Sequence, residues 1–290
     1  MARASLVAKA SRDRVVLQRR AFDGLAIVLL TLVSLIVVLP IVWTISTSLR
    51  LPRESFTLPP QWLPTDFRCQ NYAQVFDAAP MGLYIWNSLK VTFLIVGGQL
   101  VTASMAAYAF ARLRFPGRDV LFMLLMSAMM VPLFVTIIPI FILVRTFNLA
   151  DTHAALIVPA LVTPFGVFLL RQFFLTIPVE LEEAAKIDGA SPWQTFLKVI
   201  LPLGAPGLSV LAILSFNNHW NEFFRPLIFL NSWENFTVPL GLVTLRGYMG
   251  TGSVAVVVAG VAIALVPVLI LFILAQRYLI EGIALTGIKG

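Results

Sequence analysis

Six consecutive residues, Asn217, Asn218, His219, Trp220, Asn221 and Glu222, place amides, an imidazole, an indole and a carboxylate inside an otherwise apolar stretch. Amides and a carboxylate exchange hydrogen bonds with hydroxyl-rich solutes, and an indole covers the apolar face of a sugar ring. At helical spacing Asn217 meets Asn221 and Asn218 meets Glu222, each pair one turn apart. Polar groups within a membrane-length apolar run avoid lipid and mark a cavity or a helix–helix contact. Asn217, Asn218, Trp220, Asn221 and Glu222 are therefore candidates for a solute pathway, with interhelical hydrogen bonding as the other use of the same groups. Glu222 also has a partner within reach in Arg225. Gln99 and Lys90 are weaker candidates, and Lys90 lies near enough to the end of its apolar run to reach the interface.

A second constellation, EAAKIDGASPWQTFLKVILP, occupies residues 183–202. Before it, Pro178 opens a run of strong helix formers whose acids, Glu180, Glu182 and Glu183, sit where a helix dipole favours negative charge. Asp188-Gly189 ends that helix, because glycine accepts the left-handed cap. Ser191-Pro192 starts another, with serine as N-cap and proline at the first helical position. This second helix is expected from Trp193 to Ile200, ending before Pro202. Ala184 and Ala185 leave one face thin enough to settle into a groove on another protein, with Glu182 and Glu183 offered to its rim. A hairpin lying on the bilayer would instead carry Lys and Arg on its polar face. Here Glu180, Glu182, Glu183 and Asp188 outnumber Lys186, which favours a protein partner.

The elements that position these groups are apolar helices. Of 290 residues 59% are hydrophobic and only 12% charged, too few charges to cover a soluble core. A span needs about 20 mostly apolar residues, and six such runs occur, at 24–46, 85–110, 120–144, 154–175, 206–230 and 254–276. The first is retained rather than cleaved, since its apolar run from Leu25 to Ile45 exceeds a signal-peptide core of roughly 7–15 residues. Net charge is +7, but 14 of the 21 Lys and Arg fall on one side of the six-span topology. This positive-inside pattern puts both termini in the cytoplasm and accounts for the basicity without nucleic acid. Residues 49–84, with Pro52, Pro59, Pro60, Trp62, Pro64 and Tyr72, are expected to form an irregular outer cap, and 231–253 a second outer loop. Pro132, Pro139, Pro159 and Pro164 are expected to kink the third and fourth spans. The single cysteine, Cys69, has no intrachain partner, and His153 and His219 lie far apart, so neither a disulfide framework nor a metal-ligand spacing is present. No G-x-x-x-x-G-K-[ST] phosphate loop occurs.

Together these residues resemble the carbohydrate-type permeases of ATP-binding-cassette (ABC) importers, in pattern nearest the second permease subunit of maltose-like systems. The strongest part is Glu183-Ala184-Ala185, Gly189 and Leu201-Pro202, the spacing of the family's EAA loop. Asn87-Ser88, the run from Ala106 to Arg112 with Phe115-Pro116-Gly117, Trp220-Asn221-Glu222-Phe223 and the ending Gly287-Ile288-Lys289-Gly290 extend it over most of the chain. Val199 stands where the loop usually has isoleucine, a conservative departure.

The resemblance implies an all-α, six-helix permease of the type I importer fold, a single domain over 1–290 with a coupling loop at 177–203 and a cytoplasmic tail at 277–290. It implies a homologous second permease, two copies of an ATPase, and a solute-binding protein on the outer side. ATP and magnesium would sit on the ATPase, leaving this chain without a cofactor and without an enzymatic activity. Glu182, Glu183, Ala184, Ala185, Asp188, Gly189, Leu201 and Pro202 would form the ATPase-coupling loop, and the tail would reach the ATPase dimer interface. The expected place is the cytoplasmic membrane of a bacterium or archaeon, and the expected cargo a sugar or related polyol. In maltose-like systems the companion subunit supplies most of the sugar site. An importer of another small polar solute fits the same residues. A self-contained secondary transporter would want inverted repeats or buried acids along a path; no obvious repeat is seen, and Glu222 is the one acid candidate.

Overall fold

A computed structural model describes residues 2–51, 54, 62–247 and 252–287, with side chains in the part of that range from 22 to 276. Pro52, Pro59, Pro60 and all side chains of the tail, 277–290, lie outside the described residues. Among those described, every regular element is helical. Ala2–Ser48 (α1) carries the basic N-terminal stretch straight into the first apolar run. Gln70–Ala78 (α2) is regular where an irregular cap was expected, because Asn71 donates to the carbonyls of Ser48 (2.8 Å) and Arg50 (2.9 Å) and staples it to the end of α1. Met81–Arg112 (α3) follows, then Arg118–Ser127 (α4), Leu133–Thr146 (α5), Ala154–Ile157 (α6) and Pro164–Thr176 (α7). Glu180–Ile187 (α8), Pro192–Thr195 (α9) and Leu201–Leu203 (α10) are short. Ala205–Trp220 (α11), Phe224–Phe229 (α12), Val238–Thr244 (α13) and Val254–Gly287 (α14) complete the chain.

Among the described residues three stretches are long and apolar enough to cross a membrane: Phe22–Ser48, Met81–Arg112 and Val254–Gln276. Three more form only if bent pairs are counted as single spans. The run at 120–144 turns by 103° between Arg118–Met130 and Leu133–Thr146. Pro132 explains the break: it has no N–H, and it forces Val131 into an extended conformation (ψ 117°). Pro139, expected to kink the same span, sits inside α5 without ending it. The run at 154–175 bends by 40°. Here Pro164 starts a helix rather than kinking one, with Thr163 as N-cap accepting from the Gly166 N–H at 3.2 Å.

The run at 206–230 differs most from expectation. Its helix stops at Trp220, with Asn221 as the C-cap, so the polar residues lie at a helix end rather than within a continuous span. The helix on the other side, Pro192–Leu203, joins α11 at an angle of 73°. Gly204 permits that joint, since a Cβ there would lie 2.6 Å from the Phe174 ring. Nor does the second limb of the hairpin stop before Pro202. A π-helical turn over Phe196–Ile200 widens the path, and Pro202 falls in the first turn of α10, where its missing N–H costs little.

The helix α3 is the spine of the bundle, packing on α7, α11 and α13. Its first half joins Trp220, Val238 and Ala259 in one core; Val91 and Ile95 join Ile137, Leu156 and Phe229 in another; Ala103, Ala107 and Tyr108 join Leu170, Phe174 and Ile200 in a third. Asn87 donates to the carbonyls of Glu234 (2.8 Å) and Phe236 (3.0 Å), and Ser88 accepts from the Val238 N–H (2.8 Å), fastening the far end of α3 to the start of α13. By contrast α1 packs chiefly on α14 and leaves its apolar side chains from Phe22 to Ile45 largely uncovered, as expected of a helix facing lipid or another subunit.

Candidate functional site

The loop at 177–203 is a helical hairpin hung from the end of α3. Three acids in the first turn of α8 and Lys186 in its last complement the helix dipole. Gly189 adopts φ +81°, a left-handed conformation that suits glycine. The Gly189 N–H reaches the Lys186 carbonyl (3.0 Å) and the Ala190 N–H the Ala185 carbonyl (2.9 Å), the paired bonds of a Schellman cap. Ser191 and Gln194 then close a capping box, Gln194 N–H to Ser191 Oγ (3.3 Å) and Ser191 N–H to Gln194 Oε1 (2.8 Å). Both helix ends at the turn are thus satisfied locally.

Within the hairpin, Glu183, Ala184, Lys186, Asp188 and Gly189 are exposed and Ala185 half-buried. Ile187 stands 86% exposed beside the turn, and Trp193 on the second limb is 54% exposed with its ring against Phe196, centroids 5.3 Å apart. Leu201 is half-buried and Pro202 exposed. Glu182 departs from expectation. Instead of lining an outer rim it is the one buried residue of α8, ion-paired at 2.8 Å with Arg112, the last residue of α3. The Arg112 guanidinium also donates to the carbonyls of Phe174 (2.6 Å) and Ile177.

Halfway along α3 lies the second feature. Gln99 is thirteen residues before Arg112, about 20 Å along the helix axis. Its Nε2 donates to the Ala160 carbonyl (2.7 Å), and its Oε1 accepts from Ser215 Oγ (2.6 Å), which fixes the amide's orientation. The remaining N–H faces His219 Nε2 at 3.2 Å, and on the other side of the ring Nδ1 lies 3.2 Å from both Glu222 Oε2 and Arg225 Nη2. Arg225 grips the same carboxylate with Nε and Nη2 and donates to the Leu156 carbonyl (3.3 Å). Thr102 donates to the Leu161 carbonyl (2.6 Å). The carbonyls freed where the 154–175 run bends are therefore satisfied from α3, as irregular backbone at membrane depth requires.

Beside this network is a cavity of about 370 Å³, lined by Gln99, Thr163, Phe165, Leu211, Leu214, Ser215, Asn218 and His219. Of the pathway candidates Asn218 and the weaker candidate Gln99 line it, and Asn217, Trp220, Asn221 and Glu222 do not. Asn217 and Asn221 pair as expected, Asn221 Nδ2 donating to the Asn217 carbonyl (2.8 Å) and Oδ1 (3.1 Å), but on an exposed face. Trp220 is 1% exposed, stacked on Phe216 and donating to the Ala264 carbonyl (3.1 Å), so its indole belongs to the core. Glu222 is held by Arg225 and His219 and does not pair with Asn218.

A third feature had no sequence signal. Asp151, with φ +58°, clasps the segment beyond α12 at the end of the bundle away from the hairpin. It accepts from the N–H groups of Asn231 and Ser232 (both 2.9 Å) and from the Ser232 hydroxyl, which hold its carboxyl down at about 2. Asn235 Nδ2 donates back to the Asp151 carbonyl (2.6 Å).

Among the described residues three unbroken membrane-length runs, the central α3 one of them, and three bent ones, with a short hairpin at one end, make the type I ABC importer permease fold. The family described as binding-protein-dependent transport system inner membrane component matches residues 99–284, and the chain belongs to it. An arabinooligosaccharides transport system permease protein, AraQ, from Halalkalibacterium halodurans is 38% identical over 89% of this chain and 93% of its own length. The diacetylchitobiose uptake system permease protein NgcG of Streptomyces coelicolor is 31% identical over 89% of this chain and 86% of its own. Among solved structures, a bacterial ABC transporter involved in import of the acidic polysaccharide alginate superposes with a TM-score of 0.78 at 25% identity, covering 89% of this chain and 96% of that one. The protein is accordingly a membrane-embedded subunit of a binding-protein-dependent transport system.

Proposed function

We propose that the chain is one of two permease subunits of an ATP-driven importer for a saccharide or related polyol. Its α8–α9 hairpin receives the stroke of a separate ATPase, which carries the ATP and magnesium, and this chain hydrolyses nothing. The observation that carries the reading is the hairpin itself: a turn closed by local bonds on both sides, with Ile187 exposed, Trp193 half-exposed and the small side chains Ala184 and Ala185 between charges. Such a surface fits a groove on a protein and not an anionic leaflet. Both termini lie in the cytoplasm on this reading, by the distribution of Lys and Arg. The end clasped by Asp151 then faces outward, toward a solute-binding protein.

A saccharide cargo is supported by the relatives, whose names specify arabinooligosaccharides and diacetylchitobiose. The cavity beside Asn218 adds chemical support, since Phe165, Leu211 and Leu214 offer apolar cover and Asn218, Thr163 and Ser215 offer hydrogen bonds. The test is reconstitution in vesicles with the second permease, the ATPase and the binding protein. Uptake of a labelled saccharide is expected only with ATP inside the compartment that holds the ATPase. Uptake by this chain alone, without nucleotide, would instead identify a secondary transporter.

A further inference from the structure

The two limbs of the hairpin are anchored by different means. The second limb is seated by apolar packing: Phe196 and Ile200 are buried against Phe174 and Tyr108, and the Tyr108 and Phe196 rings lie 5.1 Å apart. The first limb, α8, buries a single side chain, and that side chain is the charged Glu182. Its partner Arg112 is the C-terminal residue of α3 and simultaneously donates to the carbonyls of Phe174 and Ile177 at the end of α7. One guanidinium therefore ties α8 to the ends of two bundle helices.

We propose that Arg112 is the positioning residue that transmits displacement of α8 to α3 and α7, the Arg112–Glu182 ion pair acting as the tether of the first limb. The proposal rests on the reading that α8 docks on an ATPase. Arginine suits the task because Nε faces the carboxylate while Nη2, held in the same rigid plane, donates to the two carbonyls, whereas a lysine would have to reach all three from one flexible ammonium. An apolar seat like that of Phe196 tolerates sliding, whereas a buried charge pair holds one register, because separating the charges leaves the buried Glu182 carboxylate without its counter-charge.

The test uses the full reconstituted complex and compares Glu182→Gln, Arg112→Lys and Glu183→Lys, reading subunit co-purification and ATP hydrolysed per solute imported. With the complex intact, Glu182→Gln is expected to raise ATP consumed per solute by about fivefold, the scale on which coupling residues act. Arg112→Lys, which keeps the charge and loses the fork, is expected to raise it by about twofold. A ratio unchanged in Glu182→Gln while Glu183→Lys abolishes uptake overturns the tether and leaves the docking reading standing. Loss of assembly in Glu182→Gln also overturns it, since the pair then only folds the hairpin. Unchanged coupling in all three, Glu183→Lys included, defeats the docking reading itself.

Discussion

The hairpin and the polar cluster halfway along α3 were both marked by short sequence runs, yet they are built by different forces. The hairpin's turn is closed by residues within a few positions of each other: Gly189 on Lys186, Ala190 on Ala185, Ser191 with Gln194. In the cluster the decisive bonds join Gln99 to Ser215 and His219, 116 and 120 positions away, and Arg225 to Leu156, 69 away. A locally closed unit keeps its shape while its surroundings move, which suits a part that must transmit force. A unit closed over long distances holds its shape only when several helices are in place, which suits a wall between them.

Substitutions can break this contrast, and the largest effect is expected in the cluster's own core. Trp220→Ala removes a fully buried indole and its bond to Ala264, and should lower stability by about 3–5 kcal/mol. Thermal unfolding of the purified complex would register it as a clear fall in Tm. An unchanged Tm with altered solute affinity would return Trp220 to the pathway. Gly189→Val comes next. A β-branched residue at φ +81° is strained by about 1–2 kcal/mol, enough to misplace a short turn. Uptake is expected to fall by roughly tenfold or more while membrane insertion is normal; normal uptake would mean that the turn need not be held.

How much of this was legible beforehand follows from the same distinction. The hairpin's two caps could be read off Asp188-Gly189 and Ser191-Pro192, because capping is a property of a few adjacent side chains. The apolar runs were equally plain, but their bends were not. Pro132 and Pro164 both stand in apolar runs, and one breaks a helix while the other begins one, a difference set by packing around them. Glu182 and Glu183 are adjacent carboxylates; only the fold turns the first inward to Arg112. Likewise nothing near Asp151 in the chain announces that it clasps Asn231 and Ser232, 80 and 81 positions on.

Two smaller effects sharpen the comparison. Asn218→Leu keeps the volume of a side chain that opens on the cavity and removes its amide. It should weaken saccharide uptake by about three- to tenfold through KM, with Tm unmoved, whereas Asn217→Ala and Asn221→Ala should do little. Equal effects at all three positions would dissociate the pathway from the cavity. The Asp151 clasp should respond to acid. Its carboxyl is held at about 2 in the folded chain, below the value near 3.9 of a free aspartate. The clasp therefore contributes in full above about pH 4 and is lost as pH falls toward about 2. Hydrogen exchange of the Asn231 and Ser232 amides, measured across that window and compared with Asp151→Asn, reports it. Equal protection throughout in both proteins would mean that the clasp does not depend on the charge.

The most direct test of the central claim, that the exposed hairpin docks on an ATPase, is the accessibility of its tip. Cys69 is the one native thiol and is exposed, so Ile187→Cys is made together with Cys69→Ser. A membrane-impermeant maleimide applied from the hairpin's side should label position 187 in the permease alone and fail to label it once the ATPase is bound. Equal labelling with and without a bound ATPase, in a complex that still imports solute, would contradict the account.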